Sequence, residues 1–450
     1  LKYVMNNLRE GDLFNIVAYD SQIEAFQPEM QRYNDETRKQ ALGFVEGLYA
    51  GGSTNIHAAL TKALGMIQDS KQPNFIIFMT DGLPTAGETN EATIVAAVQE
   101  ANKLRARVIS FGVGYDVNSR LLDRLSRANH GQSEFVRPNE DIEESVSRLY
   151  NKISSPVMTD VAVKFEFDEA KVEQGDPISR MYPKQVTDLF EGEQLVIVGR
   201  YKKPGLAKVR ISGKVGDDEQ KFDFPVELTV KSDDQSYAFV EKLWAMRRIG
   251  EIIDEMDLGG KNEELIKELV ALSTKHGILT PYTSFLADED AAVGDLAGAA
   301  FAPAARKAGL ALESLEESEG RLAFSSRELK KQLLEAHLAQ PAPPAEPADG
   351  MMGGGVRLRD LQKDEDVAVQ AVQVVGAKVL YKRGNVWYSF DVAKQDAAEV
   401  AGKAKVITRF SEEYFELVGK AAPADAKVLS RQQAGEELML EVDGEVYHVK

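Results

Sequence analysis

The chain has 450 residues, 43% hydrophobic and 28% charged, with 54 basic against 72 acidic side chains, a formal net charge of −18 and no cysteine. That length allows about three domains of ordinary size and is ample to bury at least one sizeable core. The acidic balance argues against wrapping nucleic acid or docking on anionic lipid, and the lack of cysteine removes disulfides, thiolate catalysis, zinc–cysteine sites and iron–sulfur clusters together.

Residues 1–155 alternate helix and strand signals. Leu1–Leu8 reads as the tail of an amphipathic helix ended by Glu10-Gly11-Asp12. Leu13–Tyr19 reads as a short strand, and Thr37–Tyr49 as a helix with Leu42, Val45 and Leu48 at helical spacing. Gly51-Gly52-Ser53-Thr54-Asn55 then leads into a helix through Ile67. Phe75–Met79, the densest apolar run, is strand-sized and far short of the roughly 20 residues of a membrane span. It runs into Thr80-Asp81-Gly82-Leu83-Pro84-Thr85. Asn90 caps a helix to about Leu104, Arg107–Val113 is a strand, Asn118–Ala128 a helix, Glu134–Val136 a short strand and Asp141–Ile153 a helix. This rhythm predicts an α/β fold, a doubly wound, mostly parallel sheet with helices on both faces.

Residues 156–232 change character, with strand-like runs at Val161–Phe167, Gln194–Tyr201, Ala207–Val215 and Lys221–Val230, and predict a β-sandwich-like module. Residues 233–287 read as a helical segment, two helices broken at Leu258-Gly259-Gly260. Residues 288–356 are rich in Ala, Gly and Pro and read as a linker, interrupted by a helix around Ser325–Leu338. Residues 357–450 form a small β-rich module with a short helix at Ser411–Val418. Its last two strands, Leu438–Val442 and Glu445–Val449, join at the hairpin signal Asp443-Gly444. No repeat of fixed period and no signal-peptide pattern occurs.

The sharpest constellation lies in the first unit. Thr54 sits in a glycine-rich loop ahead of a helix, and Asp81 sits at the carboxyl end of a buried strand. Parallel sheets bind ligands at the carboxyl ends of their strands. A hydroxyl and a carboxylate there are hard oxygen donors suited to Mg²⁺ or Mn²⁺. The glycines admit close backbone approach, and Pro84 and Thr85 stiffen the rim.

GGSTNI at 51–56 and FIIFMTDGLPT at 75–85 resemble the second and third motifs of the von Willebrand factor type A domain. That family holds a divalent cation in a metal-ion-dependent adhesion site. The resemblance makes Thr54 and Asp81 metal ligands, and Gly51, Gly52, Ser53, Asn55, Gly82, Pro84 and Thr85 the partner-binding rim. The family's first motif, Asp-x-Ser-x-Ser, does not occur at the start of the chain. The resemblance therefore implies that Leu1 falls inside a type A domain whose first strand and first motif lie upstream. It also implies that Mg²⁺ or Mn²⁺ is held only when that motif is supplied. In the family the missing strand is central, so Leu13–Tyr19 and Phe75–Met79 are expected to face each other across a gap. DLFNIVAYDSQIEAF at 12–26, ISFGVGYDVNSRLLDRLSRANHG at 109–131 and LTPYTSFLADE at 279–289 resemble bacterial relatives of inter-alpha-trypsin inhibitor heavy chains, extending the resemblance over roughly 1–290. Those proteins usually carry a vault/inter-alpha-trypsin domain ahead of the type A domain. The Asp-Pro-His-Phe signal for glycosaminoglycan linkage is absent, and that activity is not carried over.

Blander readings stand beside these. Asp81 and Thr54 could be a turn aspartate and a helix-capping threonine. Phe111-Gly112-Val113-Gly114-Tyr115 reads as a plain turn, being neither a dinucleotide nor a Walker sequence. His57 and His130 are isolated, Asp20 and Asp116 are turn residues that could rim the site, and Trp387 and Tyr388 belong to a hairpin core. The expectation is a binding protein, not an enzyme, that captures a carboxylate on a protein partner through the metal site, without nucleic acid or a membrane span. The family resemblance favours the cell envelope or exterior. The rival readings are an accessory subunit assisting assembly of another machine and a metal-free structural remnant. A hydrolase has no nucleophile–base pair behind it.

Overall fold

The computed structural model describes residues 1–49, 51–68, 73–154, 156–167, 178–184, 186, 188–216, 218–230, 237–288, 301–337, 355–395 and 397–450. Helix α1 (Lys2–Asn7) is followed by the short strands β1 (Leu13–Phe14), β2 (Val17–Tyr19), β3 (Ile23–Ala25) and β4 (Gln31–Arg32). β1 pairs antiparallel with β4, and β2 with β3. The expected single strand over Leu13–Tyr19 is thus two pieces, broken at Asn15. The Asn15 side chain accepts from Ile16 N (2.8 Å) and donates to Gln27 O (2.8 Å) and Glu29 O (3.0 Å), so it replaces ladder partners locally.

Helices α2 (Asp35–Glu46) and α3 (Ile56–Met66) precede β5 (Phe75–Thr80). Then come α4 (Glu91–Ala101), β6 (Arg107–Val113), α5 (Ser119–Ala128), β7 (Ser133–Val136) and α6 (Ile142–Ile153). Five of these helices start on a side-chain cap, from Asn34, Asn55, Asn90, Asn118 and Asp141, each satisfying a backbone N–H that the helix leaves free. β5, β6 and β7 form a parallel sheet in that order. Alternation along β6 assigns its two faces. Val108 packs with Ile56, Leu60, Ile94, Val98 and Leu121, while Ile109 and Phe111 pack with Val136, Val146 and Leu149. Helices therefore cover both faces, as expected. β2 and β5 lie in separate sheets.

Strands β8 (Pro156–Phe167), β9 (Ile178–Tyr182), β10 (Asp188–Phe190), β11 (Val198–Tyr201), β12 (Gly205–Val215) and β13 (Asp218–Leu228) follow. They form an antiparallel sheet, β10-β8-β12-β13, and a separate β9–β11 pair. β9 and β10 were not expected; five and three residues are too short for a readable period. The register places Val163, Phe165, Val209, Ile211, Phe222 and Phe224 on one face. Phe222 and Phe224 remain 45% and 50% exposed.

Helices α7 (Ala238–Gly259) and α8 (Glu263–His276) break at Gly260, whose φ is +82°. The Ala- and Gly-rich stretch expected as a linker over 288–356 is corrected here. It contains α9 (Phe301–Ala311), a 3₁₀ turn (Leu312–Glu316) and α10 (Gly320–Leu334); the proline-rich run 340–347 lies outside the described residues. Composition misled because small side chains serve packing. Ala304 and Ala308 are buried against the α7–α8 core, and Gly309 lies over Ile266.

The last unit is a seven-stranded mixed sheet of β14 (Gly355–Asp360), β15 (Glu365–Val375), β16 (Lys378–Arg383), β17 (Val386–Ser389), β18 (Lys405–Ile407), β19 (Glu437–Val442) and β20 (Glu445–Val449). Its order is β14-β15-β16-β17-β19-β20-β18. Helices α11 (Glu412–Lys420) and α12 (Pro423–Arg431) pack on it. Asp443 and Gly444 both have positive φ, +49° and +81°, the geometry of a type I′ hairpin turn. No helix among the described residues is long and apolar enough to cross a membrane.

Helix α10 ties the units together. Lys330 Nζ meets Asp123 of α5 at 2.6 Å, and Asp254 and Asp257 of α7 at 3.1 and 2.8 Å. Arg327 pairs with Asp257 at 3.1 Å. Farther along, Asp364 accepts from Arg137 (2.6 Å) and Ser325 (2.7 Å).

Candidate functional site

Strand β5 ends at Thr80, whose buried hydroxyl accepts from Gly82 N at 3.3 Å and so shapes the turn that carries Asp81. The Asp81 residue is exposed and Thr54 is half-buried. The two loops are zipped together. Thr54 N donates to Thr85 Oγ1 (2.8 Å), and the Thr54 carbonyl accepts from Thr85 N (3.0 Å) and Ala86 N (3.2 Å). A Cβ placed on Gly82 would lie 3.5 Å from Thr54 Oγ1, so the Thr54 hydroxyl points over the residue next to Asp81.

A third loop joins from β2. Asn55 N donates to the Asp20 carbonyl at 2.9 Å while the Asn55 side chain caps α3 through Ala58 N at 3.1 Å. Gly52 has φ +87°, and a Cβ there would meet Asp20 Oδ2 at 2.9 Å; glycine is needed for both reasons. A Cβ placed on Gly51 would meet nothing within 4 Å. Gly51, Gly52, Ser53 and Thr85 are exposed, whereas Asn55, Gly82 and Pro84 are half-buried. The expected ligand and rim residues thus lie in two loops that touch, at the carboxyl end of the parallel sheet.

Asp20 combines the two roles its position allows, a turn and a place at the rim. Its Oδ1 does hold a turn, accepting from Gln22 N at 2.6 Å, but its carboxylate also abuts the Gly52 loop. The available signal was an acid at a strand's carboxyl end, which Asp116 shares. The oxygen donors in and beside the two loops include the Thr54 hydroxyl and the Asp81 and Asp20 carboxylates. Their type suits a hard divalent cation. Their number does not complete a shell: among the described residues no cluster of three or more His, Cys, Asp or Glu side chains could hold a metal. His57 lies on α3, and His130 lies near the opposite end of the sheet, before β7.

The family model described as von Willebrand factor type A domain matches residues 1–135. Among similar proteins are human inter-alpha-trypsin inhibitor heavy chain H4, 26% identical over 303 residues (63% of this chain, 32% of that protein), and pig heavy chain H2, 25% identical over 310 residues (65% and 32%). The chain spans about a third of the length of these curated relatives. A solved von Willebrand factor type A structure from Catenulispora acidiphila aligns with 61% of this chain and 73% of its own, at 15% identity and a TM-score of 0.43. Residues 1–135 thus match the von Willebrand factor type A domain, and over nearly two thirds of its length the chain is similar to inter-alpha-trypsin inhibitor heavy chains.

Proposed function

We propose that the face formed by the Thr54 and Asp81 loops captures a protein partner through a divalent cation, Mg²⁺ or Mn²⁺, and an acidic side chain of that partner. Type A domains commonly bind a divalent cation at a metal-ion-dependent adhesion site and mediate protein–protein contacts. The observation that supports the reading here is the zipped pair of loops, which brings a hydroxyl and a carboxylate donor to one end of the sheet. In this reading Thr54 and Asp81 are ligands, directly or through water, and Asp20 lies alongside. Gly51, Gly52, Ser53, Asn55, Gly82, Pro84 and Thr85 form the rim that the partner touches. A bound cation would supply the positive charge that a carboxylate recognises. The role is binding and not catalysis. A shell of roughly six oxygens needs donors beyond this pair, from water or from an Asp-x-Ser-x-Ser motif, which is not among these 450 residues.

Isothermal titration with Mg²⁺ and with Mn²⁺, on this chain and on its Asp81→Ala and Thr54→Val variants, tests the reading. On protein in which the Asp-x-Ser-x-Ser motif is supplied, the expected result is metal binding that weakens at least about tenfold in either variant, as loss of a ligand contact to the cation implies. Binding unchanged by Asp81→Ala overturns the site. A second reading is favoured by the lack of a third acidic or histidine ligand among the described residues: the face is a metal-free scaffold, and neither metal gives heat with any of the three proteins.

A further inference from the structure

At the other end of the parallel sheet, the start of β6 and the turn before β7 meet the second unit around a cavity of about 210 Å³. Arg105, Arg107 and His130 line it from the type A side, and Asp160, Val161 and Val186 from the other. It is smaller than the ~300–1,000 Å³ of pockets for drug-sized ligands, so it suits a small group. It also lies about five strand residues, on the order of 17 Å, from the Asp81 end.

Two independent observations point to a ligand there. The first is charge. Arg107 is taken up by Asp188, through hydrogen bonds of 2.7 and 2.6 Å, and Asp160 faces Lys214 at 3.5 Å and Arg107 at 3.7 Å. Arg105 has no carboxylate within salt-bridge distance among the described residues, and His130 stands beside it. The cavity wall thus holds a surplus cation and a ring that can donate. The second is backbone geometry. Seven non-glycine residues among those described have positive φ, and three of them, Arg105 (+54°), His130 (+57°) and Asp160 (+51°), line this one cavity. Such conformations cost energy and cluster at functional sites. The turn carrying His130 is pressed on β6 so closely that a Cβ at Gly131 would sit 1.9 Å from the Val108 carbonyl oxygen, which fixes the ring's position over the cavity.

We infer that this cavity binds a small tetrahedral oxyanion of the phosphate class, with Arg105 and His130 as its donors. An anion between them would neutralise the surplus charge and turn both side chains inward. Asp160 and Asp188, each already paired with a cation, set a limit on how much charge the site accepts.

His130 is its own reporter. Burial, then Arg105 and Arg107, hold its imidazole below the usual histidine range, against the opposing pull of Asp160 and Asp188. A bound dianion favours the imidazolium and moves that titration upward. The test is proton NMR of the His130 ring, assigned with His130→Asn among the five histidines. It is titrated with pH in inorganic phosphate, in glycerol phosphate, and in chloride at matched ionic strength. The expected result is an upward shift of about one pH unit in phosphate over chloride. Arg105→Gln, at an exposed position, weakens phosphate binding by about tenfold or more. A shift with both phosphates means that the phosphate group itself is recognised; a shift with inorganic phosphate alone means that the enclosed anion is the ligand. A His130 titration identical in phosphate and chloride, or phosphate binding unaltered by Arg105→Gln, overturns the inference.

Discussion

Tyr19 donates its phenolic hydrogen bond to the main-chain carbonyl oxygen of Met79 at 2.8 Å, and its ring stacks on Phe78 with centroids 5.6 Å apart. Tyr19 belongs to β2 and Met79 to β5, strands of two different sheets. One side chain therefore spans the gap that would otherwise separate them. Burial pushes the Tyr19 hydroxyl up to about 12, with Thr80 opposing and Asp81 adding to the rise. Tyr19→Phe keeps the stacking and loses the bond, so it should cost about 1 kcal/mol. Tyr19→Ala also loses the ring and should cost about 3–5 kcal/mol. Urea denaturation of the two variants checks both; equal losses would show that the hydroxyl, not the ring, holds the sheets together.

The two glycines ahead of Thr54 are adjacent in sequence and unlike in structure. Gly52 has φ +87° and would press a Cβ against Asp20, whereas Gly51 has nothing within 4 Å of its would-be Cβ. Gly52→Ala should destabilise by about 1–2 kcal/mol. Gly51→Ala should stay within about 0.5 kcal/mol of the parent. Melting curves for the pair are the measurement.

The charges around α10 are buried and mutually dependent. Burial pushes the Asp123 carboxyl up, but Lys330, its hydrogen bond, Arg127 and Ser133 outweigh that and hold it below the usual carboxylate range. Lys330→Met leaves Asp123, Asp254 and Asp257 with less compensation and should cost about 3–5 kcal/mol. The exposed pair Lys2–Glu46, at 3.0 Å, is the contrast: Lys2→Ala should change stability by less than about 1 kcal/mol. Similar losses for the two lysines would contradict the role given to the buried cluster.

His276, in the last turn of α8, is held neutral. Burial, then Lys275 and Lys242, lower its titration to about 4, with Glu241 opposing. The folded value lies below the ordinary one of ~6.5, so between them the unfolded chain binds the extra proton. Stability from this group is fully present above about pH 6.5 and is lost as pH falls toward 4. The loss is on the order of 3 kcal/mol. His276→Gln removes that component, so the stability difference between parent and variant should narrow or reverse between pH 7 and 4. A pH-independent difference would show that the ring does not titrate in this way.

The helices of residues 1–155 and strands β5, β6 and β7 were legible because their signals are local, whereas β3 and β4, of three and two residues, were not. The bounds of β6 coincide with the expected Arg107–Val113, and Asn90 caps α4 as read. Trp387 is buried in the β16–β17 hairpin region, as its pattern implied. The loops carrying Thr54 and Asp81 stood out through their resemblance to the type A motifs, and the structure places them in contact. What was not legible depends on distant partners. The run over 288–356 reads as spacer until Ala304 and Ala308 are seen to let α9 close on the neighbouring helices. Lys330 and Asp123 stand 207 positions apart, and no local pattern connects them.

By itself the sequence determined the strand–helix rhythm from Phe75 to Ile153, the two loops that carry oxygen donors, and the alternation that puts helices on both faces of the sheet. Those follow from periodicity and capping, which act over a few residues. Tertiary structure alone decided that Tyr19 bridges two sheets, that Asp20 joins the Gly52 loop, that α10 closes on a buried charge cluster, and that Arg105 and His130 meet over one cavity. Each of these is set by which faces share a core, and that choice is made by burial across the whole chain.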